Sequence, residues 1–242
     1  MRISKIKNRQ GTRRQLRSGL ALAALVVAAG QAQAAFENPA TASWGGWTRG
    51  DAGTIYHEWA VFSDEGPAGG VIVDTTPEVG SIGPAPHSHT ENSGNAFLTG
   101  GGNIYSFSAA TDFTVDIGGT AAAGQPTRVA LQIRTLGTEL DYDTVTLNGA
   151  AWDSKVELGR VALGGMGGAD VETLFLWTLT DSLASYVFDF NSSESSMSLD
   201  ALSVDVAPVP LPGALVLMLS GISGFAAVAR RRAQSGAAAV AA

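Results

Sequence analysis

The sequence predicts an all-β protein, an antiparallel two-sheet sandwich of jelly-roll type, flanked by an N-terminal signal helix and a C-terminal transmembrane helix. Short segments of alternating apolar and polar residues recur between residues 35 and 207, separated by glycine, asparagine, aspartate and proline. Alternation with a period of two places the apolar side chains on one face of a strand. No segment of this body sustains a helical period, so stacked sheets are the arrangement that buries the alternate residues.

The clearest predicted strand covers residues 128 to 134. Val129, Leu131 and Ile133 share one face and polar residues the other, which is typical of a half-buried strand. Residues 113–117 repeat the pattern, and Asn148-Gly149 is a typical hairpin turn. Further strands are predicted at 55–62, 71–74, 96–99, 104–108, 144–147, 156–163, 171–178, 186–190 and 202–206.

Residues 64–95 are rich in glycine and proline, which predicts a long surface excursion carrying one short strand. His87 and His89, with Glu91 beside them, could offer metal ligands from this excursion. A distant further ligand is not identifiable, so we interpret the segment as an exposed polar loop. His57 is interpreted as a partly buried sheet residue rather than a catalytic base.

The chain is acidic in its middle and basic at its ends. Of the 15 lysines and arginines, seven precede Ala35, three stand at 230–232, and five remain for the body. All 22 acidic residues lie between Glu37 and Asp205, which gives the body a formal charge of −17. Such a body repels phosphate backbones, so no nucleic acid partner is expected. The chain has no cysteine, which excludes disulfides and thiol chemistry.

Residues 1–34 have the pattern of a secretory signal peptide. A basic region extends to Arg17, an apolar stretch runs from Leu20 to Ala29, and Ala32 and Ala34 form a small-x-small cleavage site. About ten apolar residues are too few to span a bilayer. We therefore expect a signal peptidase to cleave before residue 35, so that residues 35–207 form an extracellular β-sandwich domain.

Residues 208–235 have the pattern of a membrane-inserted tail. An apolar run from Leu211 to Ala229 is about 28 Å long as a helix, enough to cross a bilayer core. An arginine cluster follows, and arginines next to a membrane helix stay in the cytoplasm, so the body should lie outside the inner membrane. The proline motif and the arginine cluster comprise Val209, Pro210, Leu211, Pro212, Arg230, Arg231 and Arg232.

This order of proline motif, apolar helix and arginine cluster resembles the PEP-CTERM sorting tail of Gram-negative bacteria, with Leu211 standing where the family has glutamate. The resemblance implies an exosortase-like membrane protease as a partner, cleavage at or near the proline motif, and delivery to the cell surface or a biofilm matrix. It implies that the body is sorted and released rather than retained in the inner membrane.

Two sets of side chains in the body are candidates for binding. Trp44, Trp47 and Trp152 lie near glycine or aspartate, which predicts exposed aromatic faces on which sugar rings could stack. Asp141, Asp143 and Asp200 are candidate oxygen ligands for a structural Ca²⁺, although turn-forming aspartates are the simpler interpretation.

These patterns favour an exported, non-enzymatic protein with a structural or adhesive role. The alternative is a carbohydrate-binding module, with or without calcium, whose partner would be an extracellular polysaccharide. An envelope glycoside hydrolase is less favoured, because many acidic residues do not by themselves make a facing carboxylate pair. No catalytic residue is assigned, and no cofactor is expected beyond that calcium.

Overall fold

The computed structural model describes residues 36–67, 70–120, 124–165 and 167–209. The regular elements in these ranges are β-strands, as the sequence predicts, and no helix long and apolar enough to cross a membrane occurs in them. The predicted signal peptide and the predicted tail beyond Val209 lie outside these ranges. The strands are β1 (Ile55–Trp59), β2 (Ile72–Asp74), β3 (Val79–Ile82), β4 (His87–Glu91), β5 (Phe97–Leu98), β6 (Ile104–Tyr105), β7 (Asp112–Gly118), β8 (Thr127–Gly137), β9 (Leu140–Leu147), β10 (Ala150–Ala151), β11 (Ser154–Ala162), β12 (Ala169–Leu179), β13 (Ser185–Ser192) and β14 (Met197–Pro208).

The strands form two antiparallel sheets, which confirms the predicted all-β class. The eight-stranded sheet has the order β11-β12-β8-β14-β1-β3, and β6 pairs with β14 and with β5. The six-stranded sheet has the order β10-β9-β13-β7-β4-β2. The predicted turn at Asn148 and Gly149 is present between β9 and β10, and both residues have positive φ.

The core lies between the two sheets. Alternate residues of β8, including Leu131 and Ile133, meet alternate residues of β7 and β13 in one buried apolar cluster. Trp177 of β12 and Phe188 of β13 contact across the interface between the sheets, with ring centroids 5.6 Å apart. The period-two pattern of the sequence therefore specifies which face of β7, β8 and β13 enters the core.

The prediction that residues 128–134 form a half-buried strand is wrong in one respect, because β8 is covered on both faces. The segment before β1 crosses the outer face of the eight-stranded sheet. Trp44 and Trp47 pack there on Ala130, and the Gln132 side chain exchanges hydrogen bonds with the backbone of Glu37, at 2.9 and 3.1 Å. We call residues 36–50 the N-terminal strap.

An ion pair joins the strap to the same face. Nε and Nη2 of Arg49 each donate to the carboxylate of Asp205 in β14 at 2.8 Å, and the guanidinium carbon lies 3.6 Å from the ring centroid of Tyr56 in β1. The Asp205 side chain is 1% exposed. Burial raises the pKa of Asp205, and the hydrogen bonds from Arg49 oppose that rise. The pair thereby ties the strap to the middle of the sheet.

Residues 64–95 are not a surface excursion with one strand. They contain β2, β3 and β4, and β4 lies inside the six-stranded sheet between β7 and β2. Its inward-facing side chains are polar: His89 and Glu91 are both buried, as is Asp74 in the adjacent strand. Polar residues at inward positions remove the alternation by which a strand is recognised.

Strand β14 runs along the full length of β8 in the large sheet, from Gly137 at one end of β8 to Thr127 at the other. It pairs with β8 over its whole length and with β1 over its second half. From Ser198 to Pro208 it spans about 33 Å at roughly 3.3 Å per residue. After Pro208, the Val209 amide donates to the Pro126 carbonyl at 2.8 Å. The folded body thus extends to the first residue of the proline motif.

The Arg49 pair should matter for stability. Replacing Arg49 with alanine leaves the buried carboxylate of Asp205 without its cation and should lower the free energy of unfolding by about 3 kcal/mol. Urea denaturation measures the loss. The matched control is Arg160→Ala, which breaks a solvent-exposed pair with Glu139 and should cost much less. Equal losses in the two variants would contradict this role of the buried pair.

Candidate functional site

The tryptophans predicted to be exposed are mostly buried. Trp44 and Trp47 are each 8% exposed and contact each other edge to face, with ring centroids 5.5 Å apart. The prediction that they offer open faces is wrong, because the strap presses them onto the sheet. Trp152 is half-buried near Phe175, and its Nε1 donates to the Tyr142 carbonyl at 3.1 Å. The structure does not bring the three together on one surface.

The candidate calcium ligands lie on different sheets. Asp141 and Asp143 are exposed residues of β9 in the six-stranded sheet, whereas Asp200 belongs to β14 in the other. The Asp200 carboxylate accepts a hydrogen bond from Asn103 at 2.7 Å and pairs with Arg134 at 3.3 Å. Across the described ranges, no group of three or more His, Asp or Glu side chains is placed to hold a metal ion.

The three histidines gather on the inner faces of β1 and β4. His57 and His87 stack with ring centroids 4.8 Å apart, and His89 lies between Phe62 and Phe113 at 4.9 and 5.4 Å. His57 and His89 are fully buried. The interpretation of His57 as a partly buried residue is therefore wrong, and so is the interpretation of the segment that contains His89 as an exposed loop. Burial lowers the pKa of His57 to about 4, with a contribution from His87, and that of His89 to about 3.

A groove lies at the end of the eight-stranded sheet where β14 begins. Three turns meet there: the turn after β8, the glycine-rich loop between β11 and β12, and the turn before β14. Tyr105 of β6 forms part of the wall, and the volume is about 550 Å³. We call this the glycine-rich groove, because Gly137 and four glycines of the loop line it.

The groove is held by close backbone packing. A Cβ atom on Gly168 would lie 2.4 Å from the carbonyl oxygen of Gly137, and one on Gly137 would lie 2.5 Å from that of Ser196. Only glycine fits such approaches without a backbone shift. Ser196 itself has a φ of 71°, in the left-handed region that non-glycine residues seldom occupy. The three turns are therefore fixed relative to one another.

An exposed aromatic cluster continues the wall of the groove. Phe97 is 43% exposed and Phe107 is 66% exposed. The ring centroid of Phe107 lies 4.6 Å from that of Tyr105 and 5.5 Å from that of Phe97. Because Tyr105 belongs both to this cluster and to the groove, the two form one continuous surface.

Phe107 stands on a short loop that hydrogen bonds hold in place. The buried Ser106 hydroxyl donates to the Ala109 carbonyl at 2.8 Å, and the Ser106 carbonyl accepts from the Ser196 amide at 2.8 Å. The loop that presents Phe107 is thereby joined to a turn that lines the groove. This cluster was not predicted from the sequence. The sequence carries one signal for it, the Tyr105-x-Phe107 spacing, which places two aromatic rings on one side of an extended segment.

The groove has a neutral lining in the part of the chain that the structure describes. Hydroxyl groups come from Thr138, Ser196, Ser198 and Tyr105, and no lining residue there carries a charge. Such a surface can stack an apolar face of a ligand and exchange hydrogen bonds with its hydroxyls. It supplies no carboxylate pair for acid-base chemistry.

The opposite end of the sheet carries Val209, the first residue of the predicted sorting motif. Val209 lines a smaller cavity of about 230 Å³ with Trp47, Arg128 and Pro208. The remaining predicted sorting and cleavage residues lie outside the described ranges: Ala32, Ala34, Pro210, Leu211, Pro212, Arg230, Arg231 and Arg232.

The burial of His89 predicts a pH dependence of stability. In the unfolded chain the pKa of His89 returns to about 6.5. The unfolded state therefore becomes protonated at His89 as the pH falls through 6.5, whereas the folded state stays neutral there until about pH 3. Stability contributed by neutral His89 is complete above pH 6.5 and falls as the pH drops, by about 1.4 kcal/mol per unit.

A His89→Leu variant should therefore lose stability less steeply than the wild type between pH 6.5 and 4.5. Urea denaturation at several pH values gives the two slopes, and comparing slopes removes the direct effect of the substitution on packing. Parallel slopes in the two proteins would mean that His89 does not titrate as its burial requires.

Compared with protein-family models, curated proteins and solved structures, the chain has no match.

Proposed function

We propose that this chain is an exported cell-surface or extracellular-matrix protein with a structural or adhesive role. In this proposal a signal peptidase removes residues 1–34, and the tail at 208–235 crosses the inner membrane as a helix. An exosortase-like protease then cleaves near Pro210 and releases the body, which is a sandwich of jelly-roll type. The proposal assigns no catalytic residue.

The observation that carries the proposal is the end of β14. The strand ends at Pro208, and Val209 is held by its hydrogen bond to Pro126. The proline motif thus follows the folded body with no intervening linker. This supports the division into a body that folds by itself and a tail with a separate task, because the last residues of the body are already in the middle of a sheet.

The composition of the body is compatible with its release from the membrane. Its five cations against 22 acidic residues favour solubility and disfavour attachment to anionic lipid. The absence of cysteine is compatible with either redox compartment and therefore does not bear on the choice.

A carbohydrate-binding module is the second candidate, and the exposed cluster of Phe97, Tyr105 and Phe107 beside the groove favours it. The positions of Asp141 and Asp143 on one sheet and Asp200 on the other do not favour a calcium-dependent form. A glycoside hydrolase finds no support in the groove, whose described lining residues include no carboxylate.

The sorting proposal is tested by sequencing both mature ends from fractionated cells. Mass spectrometry of the extracellular form should give an N-terminus at Ala35 and a C-terminus near Pro210. A variant with alanine at 230–232 loses the charges that orient the tail and should accumulate in the membrane fraction with its tail intact. An extracellular wild-type protein that still carries residues 213–242 would contradict the proposal.

A further inference from the structure

We infer that the glycine-rich groove and its aromatic cluster form a binding site for an uncharged polysaccharide. A sugar ring stacks on the exposed ring of Phe107 while its hydroxyls bond to the turns that line the groove. The site faces away from the end of the body that carries the tail. The orientation rests on the proposed sorting function, whereas the binding site stands on the geometry of the groove alone.

Phe107 and Phe97 expose large parts of their rings to solvent. Burying a phenylalanine side chain stabilises a protein by about 1.5 to 3 kcal/mol, so two exposed rings side by side leave that gain unused. Contiguous exposed apolar surface of this kind marks an interaction site. The rings of Phe97 and Phe107 stack with their planes 23° apart, and Tyr105 meets Phe107 edge to face at 87°, so the cluster holds the Phe107 ring in place before a ligand arrives.

The surface is fixed in place by backbone and side-chain contacts. The hydrogen bonds of Ser106 fix the loop that carries Phe107, and the glycine contacts of Gly137 and Gly168 fix the turns opposite. A surface organised in advance loses little conformational entropy when it binds. The left-handed backbone of Ser196, in the wall between them, is local strain of the kind that accompanies binding sites.

The polar groups of the groove identify the ligand as a sugar rather than an apolar tail. Hydroxyls of Thr138, Ser196 and Ser198 lie beside an apolar wall that includes Tyr105 and Leu136. A sugar ring presents the same division, with C–H groups on its face and hydroxyls around its rim. A purely apolar ligand would leave the serine and threonine hydroxyls of the groove without partners.

The charge of the body decides which class of polysaccharide fits. The described lining offers no cation to pair with a carboxylate or sulfate, and the body around it has a formal charge of −17. An acidic polysaccharide would be repelled over the Debye length of about 8 Å at physiological salt. The ligand that fits is a neutral glycan.

The orientation follows from β14. Ser198 at its beginning lines the groove, and Pro208 at its end precedes the tail, about 33 Å away along the strand. While the tail is in the membrane, the groove is therefore on the far side of the body. A polysaccharide outside the cell can reach it before the body is released.

Affinity electrophoresis of the full chain tests the site, in a zwitterionic detergent that has no sugar headgroup. Native gels contain dextran, mannan or a soluble β-1,3-glucan as neutral probes, and alginate or hyaluronan as acidic probes. At least one neutral probe should retard the wild type, and neither acidic probe should. Phe107→Ala should weaken binding about fivefold or more, through loss of stacking surface.

The matched control is Val156→Ala, which trims another exposed apolar residue of the same sheet, on β11 and outside the groove lining. It should bind as the wild type does, and Phe97→Ala should lie between the two. Both phenylalanines are surface residues, so equal thermal melting of all variants is expected and separates binding from folding.

The inference is overturned if none of the neutral probes retards the wild type, if an acidic probe binds more tightly, or if Phe107→Ala binds like Val156→Ala. Self-association through the aromatic cluster, seen as Phe107-dependent dimers without glycan binding, would also overturn it. Correct mature ends with no glycan binding would leave the sorting proposal intact. Glycan binding together with an extracellular form that still carries residues 213–242 would leave the groove intact and remove the sorting proposal.

Discussion

The rest of the structure depends on the placement of the last strand in the middle of the larger sheet. β14 pairs with β8 on one side and β1 on the other, its inner face enters the core, and its outer face receives the strap through Asp205. The eight-stranded sheet is therefore incomplete until residues 197–208 have joined it. This one segment therefore links the groove, which lies at its beginning, to Val209, which follows its end.

The strand faces could be predicted from the sequence where alternation is intact, as at Val129, Leu131 and Ile133, which are all in the core. The buried face of β4 could not be predicted, because His89 and Glu91 occupy inward positions that are apolar in other strands. Glu91 is tolerated there because its carboxylate accepts the amides of Ser93 and Gly94, both at 3.0 Å. Such local compensation is visible only once the turn is folded.

The proposed binding surface could not be predicted from the sequence for a different reason. Trp47, chosen for its glycine neighbours, is covered by contacts between the strap and a sheet assembled from distant strands. Phe107, interpreted as part of a strand, is exposed because the strand ends at Tyr105 and the segment bends there, where the Ser106 carbonyl accepts the Ser196 amide. These long-range backbone contacts decide which aromatic residues are exposed, and the spacing of Tyr105 and Phe107 indicates only that the two rings can lie on one side.

The proposed tail would hold the body to the membrane at the Pro208 end of β14, whereas the groove lies at the Met197 end, and this arrangement can be measured directly. The chain has no cysteine, so a single fluorophore can be attached at Ser108→Cys beside Phe107, or at Gln125→Cys beside Pro126; both positions are exposed. After reconstitution into vesicles that contain a quencher lipid, the label at residue 125 should be quenched and the label at residue 108 should not. Equal quenching at both positions, or stronger quenching at residue 108, would contradict the account.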